Sequence, residues 1–432
     1  MSGEDGLENG KDADLTATVS PPSGAPAKAA DDDRRWREAF ERVVSGGWSV
    51  SLGAVVLAVL AGSILIAATD PEVQAASGYF FSRPMDTLSA IGTAVGGAYA
   101  ALFRGAVWDF RADTFAAGIK PLTSTLTFAT PLIGAGLGVA LGFRAGLFNI
   151  GGQGQMLAAA AAAGWVGFGL SMPWPIHMLV AMVAGMAAGA LWGGLAGLLK
   201  AATGAHEVIV TIMLNYIAFY LLSYLLATPG LLQAPGSANP KTPRMAESAI
   251  MPLLFGSKYN LHLGFVFALL AVGFVWWLLN RSTLGFAFRA VGENPDAARV
   301  AGIDVPRMTV SVMLVAGGLV GLAGVTQVLG TVTTGFSYDI DAGIGFDAIT
   351  VALMGRSTPF GVLAAAILFG GFKAGGSVMQ ASQNVPIEIV LVIQSLIVLF
   401  IAAPPLVRAV FRLPQPGART KKRPARRKEV AA

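Results

Sequence analysis

Apolar runs long enough to be membrane helices alternate with polar breaks along most of the chain. A helix that crosses a bilayer needs roughly 20 predominantly apolar residues. By that measure the pattern predicts ten segments: 48–68, 121–142, 152–171, 178–199, 208–227, 261–280, 309–330, 343–355, 358–378 and 387–403. The eighth is short for a full crossing and reads as a half-helix. The stretch 87–103, TLSAIGTAVGGAYAALF, is weakly apolar and rich in small residues, and reads as an interfacial helix. The expected fold is an all-α polytopic membrane protein with interrupted helices, its transmembrane region running from 48 to 404.

One break departs from the pattern. RAVGENPDAARVAGIDVPRM, 289–308, sits between LHLGFVFALLAVGFVWWLLN and TVSVMLVAGGLVGLAGVTQVLG. Helix–helix connections usually take about 2–8 residues, and the segment 281–308 is far longer. Within it Asn294 is a good N-cap, Pro295 suits the first helical position, and Asp296 favours the positive end of the helix dipole. DAARVA continues that helix, Gly302 ends it, and Asp304 with Pro306 opens the next. A short, well-capped helix in a long polar connection points to a docking surface.

Composition agrees with a lipid setting. Only 13% of the 432 residues are charged, about half the share of a soluble domain. Glycine, at 54 residues, suits close helix packing. The absence of cysteine excludes disulfides and thiolate chemistry, and three histidines leave little scope for a metal cluster.

Charge gathers at the ends. Residues 1–47 read as a disordered tail, and 405–432 carry nine Lys and Arg. Directly after a spanning helix, such a tail reads as a cytoplasmic anchor on anionic lipid rather than a nucleic-acid arm. The first apolar run lacks the form of a signal peptide. An even number of spans puts both termini on one side, and Lys/Arg bias selects the cytoplasm. That side then holds Arg34, Arg35, Arg37, Arg42, Arg144, Lys200, four Arg in 281–308, Arg356 and the basic tail.

Polar residues inside spans are the candidate chemistry. Glu207, Thr211 and Asn215 fall at i, i+4, i+8 on one helix face, and Asp347 and Lys373 form a candidate buried pair. FNIGGQGQ, 148–155, places three glycines where a helix would otherwise run, and DIDAGIGFDAITVALMG, 339–355, repeats the device. Such interrupted helices often build transporter sites. EVIVTIMLN, 207–215, and EIVLVIQSL, 388–396, are weakly similar, which suggests an inverted repeat. Gly185, Gly189, Gly193 and Gly197 form an unbroken GxxxG series for helix packing. Asn149, Gln153 and Asn215 each donate and accept hydrogen bonds, which suits a neutral base or sugar. The candidate pathway set is Phe148, Asn149, Gln153, Gln155, Glu207, Thr211, Asn215 and Asp347.

Three stretches resemble a known group: RAVGENPDAARVAGIDVPRMTVSVMLVAGGLVGLAG, ATPLIGAGLGVALGFRAGLFNIGGQGQM and HEVIVTIMLNYIAFYLL. They look like the ABC-importer permeases for branched-chain amino acids, simple sugars and nucleosides, and most like the nucleoside type paired with basic-membrane-protein-like lipoproteins. Gln153 stands where many such relatives carry Glu. The resemblance implies a plasma-membrane transport subunit, without cofactor or catalysis of its own. Its partners would be a cytoplasmic ABC ATPase, a second permease of a different chain, an extracytoplasmic substrate-binding lipoprotein and membrane lipid, with no nucleic acid. It implies that Glu293, Asn294, Pro295, Ala297, Ala298, Arg299 and Gly302 form the ATPase-coupling surface. No GxxxxGK[ST] loop is present to cradle phosphates; the only Gly-Lys pair is Gly10-Lys11, followed by Asp12. The rival expectation is a secondary transporter driven by an ion gradient through Asp347.

Overall fold

The computed structural model describes residues 47–411. The expected N-terminal tail, up to residue 46, and the basic run from 412 onward lie outside the described residues. The numbered helices are α1 Gly47–Thr69, α2 Pro84–Ala106, α3 Lys120–Arg144, α4 Gly152–Gly169, α5 Ile176–Thr203, α6 Glu207–Ala227, α7 Gly264–Arg281, α8 Thr283–Glu293, α9 Pro295–Val300, α10 Val305–Thr326, α11 Ile344–Met354, α12 Pro359–Gln383 and α13 Ile387–Ala402. Further helices lie at Pro71–Ser77, Phe115–Gly118 and Pro404–Phe411, with a π-turn at Gln327–Thr331; α9, at six residues, is the shortest of the numbered ones. The extended pairing among the described residues is a bridge between Leu253 and His262.

Six helices are long and apolar enough to cross a membrane: α3, α5, α6, α7, α10 and α12. The number rises to eight if α1 with Pro71–Ser77, bent by 73°, and α13 with its short successor, bent by 90°, each count as one span. The expected ten are not reached, because α4 and α11 fall outside this measure. α4 opens on Gly-Gln-Gly-Gln, and most of its residues are buried by neighbouring helices, so its surface need not match lipid. α11 has 11 residues, a rise of about 16 Å against a hydrocarbon core of about 30 Å. The segment expected as an interfacial helix is the 23-residue α2. It leans on the C-terminal half of α12, with Gly105 beside Val378 and Gly97 beside Gln383.

Glycine sets the packing. Along α5, Gly185, Gly189, Gly193 and Gly197 meet Val325, Gly321, Gly317 and Val310 in turn, so α5 and α10 are antiparallel. A methyl group on Gly189 would lie 2.6 Å from the Gly317 carbonyl oxygen and 2.7 Å from the Gly321 Cα. Only backbone faces backbone there. α3 runs antiparallel to α10 by the same means, Gly134 beside Leu319 and Ala323, Gly138 beside Ala316 and Val320. It runs antiparallel to α12 as well, with Gly136 near Val362, and Gly370 near Thr125 and Ala129. Leu132, Ile133, Leu137, Leu141, Val320 and Phe369 fill the core between these helices.

The segment 281–308 folds as its caps require. Asn294 Oδ1 accepts from the N–H groups of Asp296 and Ala297, both at 3.0 Å. Gly302 turns the chain at φ +85°, and Asp304 accepts the Arg307 N–H at 3.0 Å to open α10. Ala297 is exposed, whereas Ala298 is buried against the protein. Val300 is 91% exposed, an apolar side chain standing free.

Candidate functional site

The first helix break lies between α3 and α4. α3 ends at Arg144, whose Nε donates to the Ser357 carbonyl at 2.9 Å. Gly146 then takes φ +71°, a conformation costly for any residue with a Cβ, and packs on Gly292 of α8. A helix that starts inside a protein leaves backbone N–H groups without intrahelical partners. Here side-chain amides take them. Asn149 is wholly buried; its Oδ1 accepts the Gly151 N–H at 2.9 Å and Gln155 Nε2 at 3.1 Å. Its Nδ2 lies 3.4 Å from Gln155 Oε1. Asn215, reaching in from α6, accepts the Gly154 N–H at 2.8 Å and donates to the Ile150 carbonyl at 2.9 Å. Thr211 returns its hydroxyl proton to the Glu207 carbonyl at 2.8 Å. Glu207 pairs with Lys200 at 2.6 Å. The Phe148 ring rests on Phe143, centroids 4.8 Å apart.

The second break follows α10. A π-turn at Gln327–Thr331 gives way to an irregular stretch that ends at Gly343, the left-handed cap of α11. Phe336 anchors this stretch. It is buried beside Gly164, its N–H donates to Thr242 Oγ1 at 3.0 Å, and its carbonyl accepts the Thr242 N–H at 3.0 Å. The two breaks meet: a methyl group on Gly152 would lie 2.8 Å from the Gly345 carbonyl oxygen. The starts of α4 and α11 therefore touch backbone to backbone.

At that junction Gln153 Nε2 lies 3.4 Å from Asp341 Oδ1, and Gln327 Nε2 lies 3.4 Å from the neighbouring Ile340 carbonyl. Asp341 is buried, and no cation among the described residues pairs with it. Burial raises its pKa; the Gln153 amide and the Gly343 N–H pull the other way, and Asp339 adds repulsion. Asp347 is held by Lys373 at 2.8 Å.

The structure thus sorts the sequence candidates. Asn149, Gln155, Asn215 and Thr211 gather at the first break with their polar atoms engaged by protein. Glu207 and Asp347 are held in ion pairs by Lys200 and Lys373. Gln153, half-buried, is the candidate that faces the second break. Asp341 went unnoticed in the sequence, although DIDAGIG marks it: an acid within a glycine-interrupted stretch. Val300, exposed on α9, was not among the sequence candidates. An apolar crevice of about 650 Å³ between α5, α7 and α10 is lined by residues such as Met186, Phe274 and Leu314, and offers no polar side chain to a solute.

Residues 121–402 match the family described as branched-chain amino acid transport system / permease component. The chain belongs to this family. It is 37% identical over 332 residues to the guanosine ABC transporter permease protein NupP of Bacillus subtilis, covering 76% of this chain and 91% of the relative. It is 34% identical over 293 residues to a glucose ABC transporter permease protein of Haloferax volcanii, covering 65% and 75%. A second Bacillus subtilis chain, the guanosine ABC transporter permease protein NupQ, matches at 25% over 276 residues, covering 61% and 84%. No solved structure matches. As a permease of this family, the protein is an integral plasma-membrane transport subunit of an ABC importer, working with an ATPase and a substrate-binding partner. Nothing in the comparisons supports the ion-driven alternative.

Proposed function

We propose that this permease carries a nucleoside, and that its solute passes the junction of the two interrupted helices. The observation that carries the site is the Gln153–Asp341 contact, where polar groups remain after Asn149, Gln155 and Asn215 have been used to hold the first break. A carboxylate–amide pair offers acceptors and a donor together, which suits the mixed edges of a nucleobase and ribose. The match to NupP supports the substrate class. Asn149, Gln155, Thr211 and Asn215 shape the pathway from behind, and Phe148 and Glu207 close its cytoplasmic end. Asp347, paired with Lys373, serves architecture.

In this reading both termini are cytoplasmic and the bundle makes ten crossings, with α4 and α11 as enclosed segments. α3–α6 and α10–α13 form an inverted repeat. Supporting this, α3 and α10 are antiparallel, and α5 packs on α10 as α12 packs on α3. The ATPase grips α8 and α9 through Glu293, Asn294, Pro295, Ala297, Arg299, Val300 and Gly302, with Ala298 buried beneath as their support. The contact of Gly292 with Gly146 links that grip to the first break. A second permease of a different chain completes the pore, as the presence of both NupP and NupQ in one organism suggests. An extracytoplasmic lipoprotein delivers the solute, and the basic tail meets anionic lipid.

The test is uptake of labelled guanosine into proteoliposomes holding both permeases and the ATPase, with the binding protein outside. ATP-driven guanosine uptake that survives an ionophore is expected. Uptake of glucose but not guanosine would overturn the substrate class, and uptake abolished by the ionophore at constant ATP would overturn the energy source.

A further inference from the structure

The polar face of α6 that points inward is spent on the first break, so its opposite face needs its own account. There Tyr216, Tyr220 and Tyr224 stand at i, i+4 and i+8, exposed by 55%, 66% and 63%. Residues at this spacing share one side of a helix. Counting 1.5 Å per residue from Glu207, Tyr216 and Tyr220 lie about 13 and 20 Å along the helix. That is inside a hydrocarbon layer of about 30 Å, not in the interfacial belts where tyrosine is usual. None of the three hydroxyls has a hydrogen-bond partner among the described residues. Ile209 and Met213 stand exposed among them. A hydroxyl without a partner is nevertheless costly in hydrocarbon, so the three tyrosines point to water, a polar solute or protein beside this face.

Two further observations select the solute. The Phe219 ring stands edge-on to both Tyr220 and Tyr338, each at a centroid distance of 5.4 Å, so the stripe continues into the irregular stretch before α11. That stretch carries Asp339, exposed beside Tyr338 and holding the Ser337 hydroxyl, and no cation among the described residues pairs with it. Rings plus an uncompensated carboxylate complement a solute that has both a π-face and donor hydrogens. A bare sugar has the donors without the face.

We propose that Tyr216, Tyr220, Tyr224 and Tyr338 form a stacking wall along which the base of the solute moves, with Asp339 accepting its donor hydrogens. This rests on the nucleoside reading above. Stacking tolerates any base and is weak enough to release it, as a pathway requires. The second permease closes the opposite side.

The experiment compares Tyr220→Phe and Tyr220→Leu in the reconstituted two-permease complex, following labelled guanosine uptake and co-purification of the two permeases. Phenylalanine keeps the ring, and uptake should stay within about twofold of the wild type. Leucine should lower uptake on the order of tenfold, with the two permeases still co-purifying. If wild-type complex imports guanosine and the leucine variant imports it equally well, the stacking wall is wrong while the nucleoside reading stands. If leucine separates the two permeases, the face is a subunit contact and the proposal fails. If the wild type imports no guanosine, the substrate reading falls and the stacking wall with it.

Discussion

Replacing Asn215 with alanine tests whether the first helix break is held by side-chain amides. The substitution removes two bonds at once, the one from the Gly154 N–H at 2.8 Å and the one to the Ile150 carbonyl at 2.9 Å. Interhelical hydrogen bonds in membrane proteins average about 0.6 kcal/mol, because the alternative state usually finds other partners. Here Asn215 is buried, and both backbone groups lie at a helix start with no neighbouring turn to take them. An unsatisfied buried group costs about 1–3 kcal/mol. Two such groups give about 2–4 kcal/mol once some relaxation is allowed. Asn215→Asp keeps an acceptor for Gly154 but faces the Ile150 carbonyl with a second oxygen, so it should rescue little. The assay is thermal unfolding of the purified permease in detergent alongside uptake in proteoliposomes. Alanine should lower the unfolding temperature by several degrees, with uptake falling in step. A variant that loses uptake at unchanged unfolding temperature would refute the scaffolding role and return Asn215 to the solute.

The same measurements reach three other features. Gly189→Ala forces a methyl group against the α10 backbone, 2.6 Å from the Gly317 oxygen, and should cost about 1–3 kcal/mol; Gly273→Ala, with open space around it, should not destabilise, and equal effects would discount the close packing. His262 is buried with its pKa lowered to about 4 by desolvation, below the unfolded value of 6.5, so the unfolded chain binds its proton first. Its contribution is full above pH 6.5 and is lost as pH falls towards about 4, up to about 3 kcal/mol; His262→Asn should flatten that slope in a pH series of unfolding temperatures. At the coupling surface, Val300→Glu should abolish solute-stimulated ATP hydrolysis while leaving unfolding within about 0.5 kcal/mol, whereas Ala298→Glu, at a buried site, should reduce folded protein; unchanged stimulated hydrolysis in Val300→Glu would remove it from the ATPase contact.

The helices were legible because length and apolarity are local properties of a run. The caps around Asn294, Gly302 and Asp304 were legible for the same reason: each acts within four residues. The GxxxG series on α5 could be read as a packing face, though not which helix it would meet. Burial of Ala298 and exposure of Val300 depend on how α9 lies against the bundle, which the run NPDAARVAG does not encode locally. The ten-span count is not confirmed at α4, where burial by neighbouring helices relaxes the demand for apolar surface, or at α11, which is short. The role of Asn149 turned on a partner six residues away, and that of Asn215 on one 61 residues away. Spacing shows that a polar residue shares a face; it does not show what already satisfies it.

That distinction explains how polar residues are divided in this protein. A break inside a membrane helix exposes N–H and C=O groups together, so the residue that mends it must both accept and donate without bringing a charge. Asparagine and glutamine do both, and Asn149, Gln155 and Asn215 are spent this way. A carboxylate could take only the N–H groups, and burying its charge would cost several kcal/mol after relaxation. Asp341 and Asp339 accordingly take no part in mending the first break; they lie across the junction from it, in an irregular stretch whose anchor at Phe336 does not use them. The amides are consumed in keeping the helices broken, and the acids beside the break are left with capacity for a passing solute. A permease needs both, since a pathway requires a lasting interruption in the fold and only a passing hold on what crosses it.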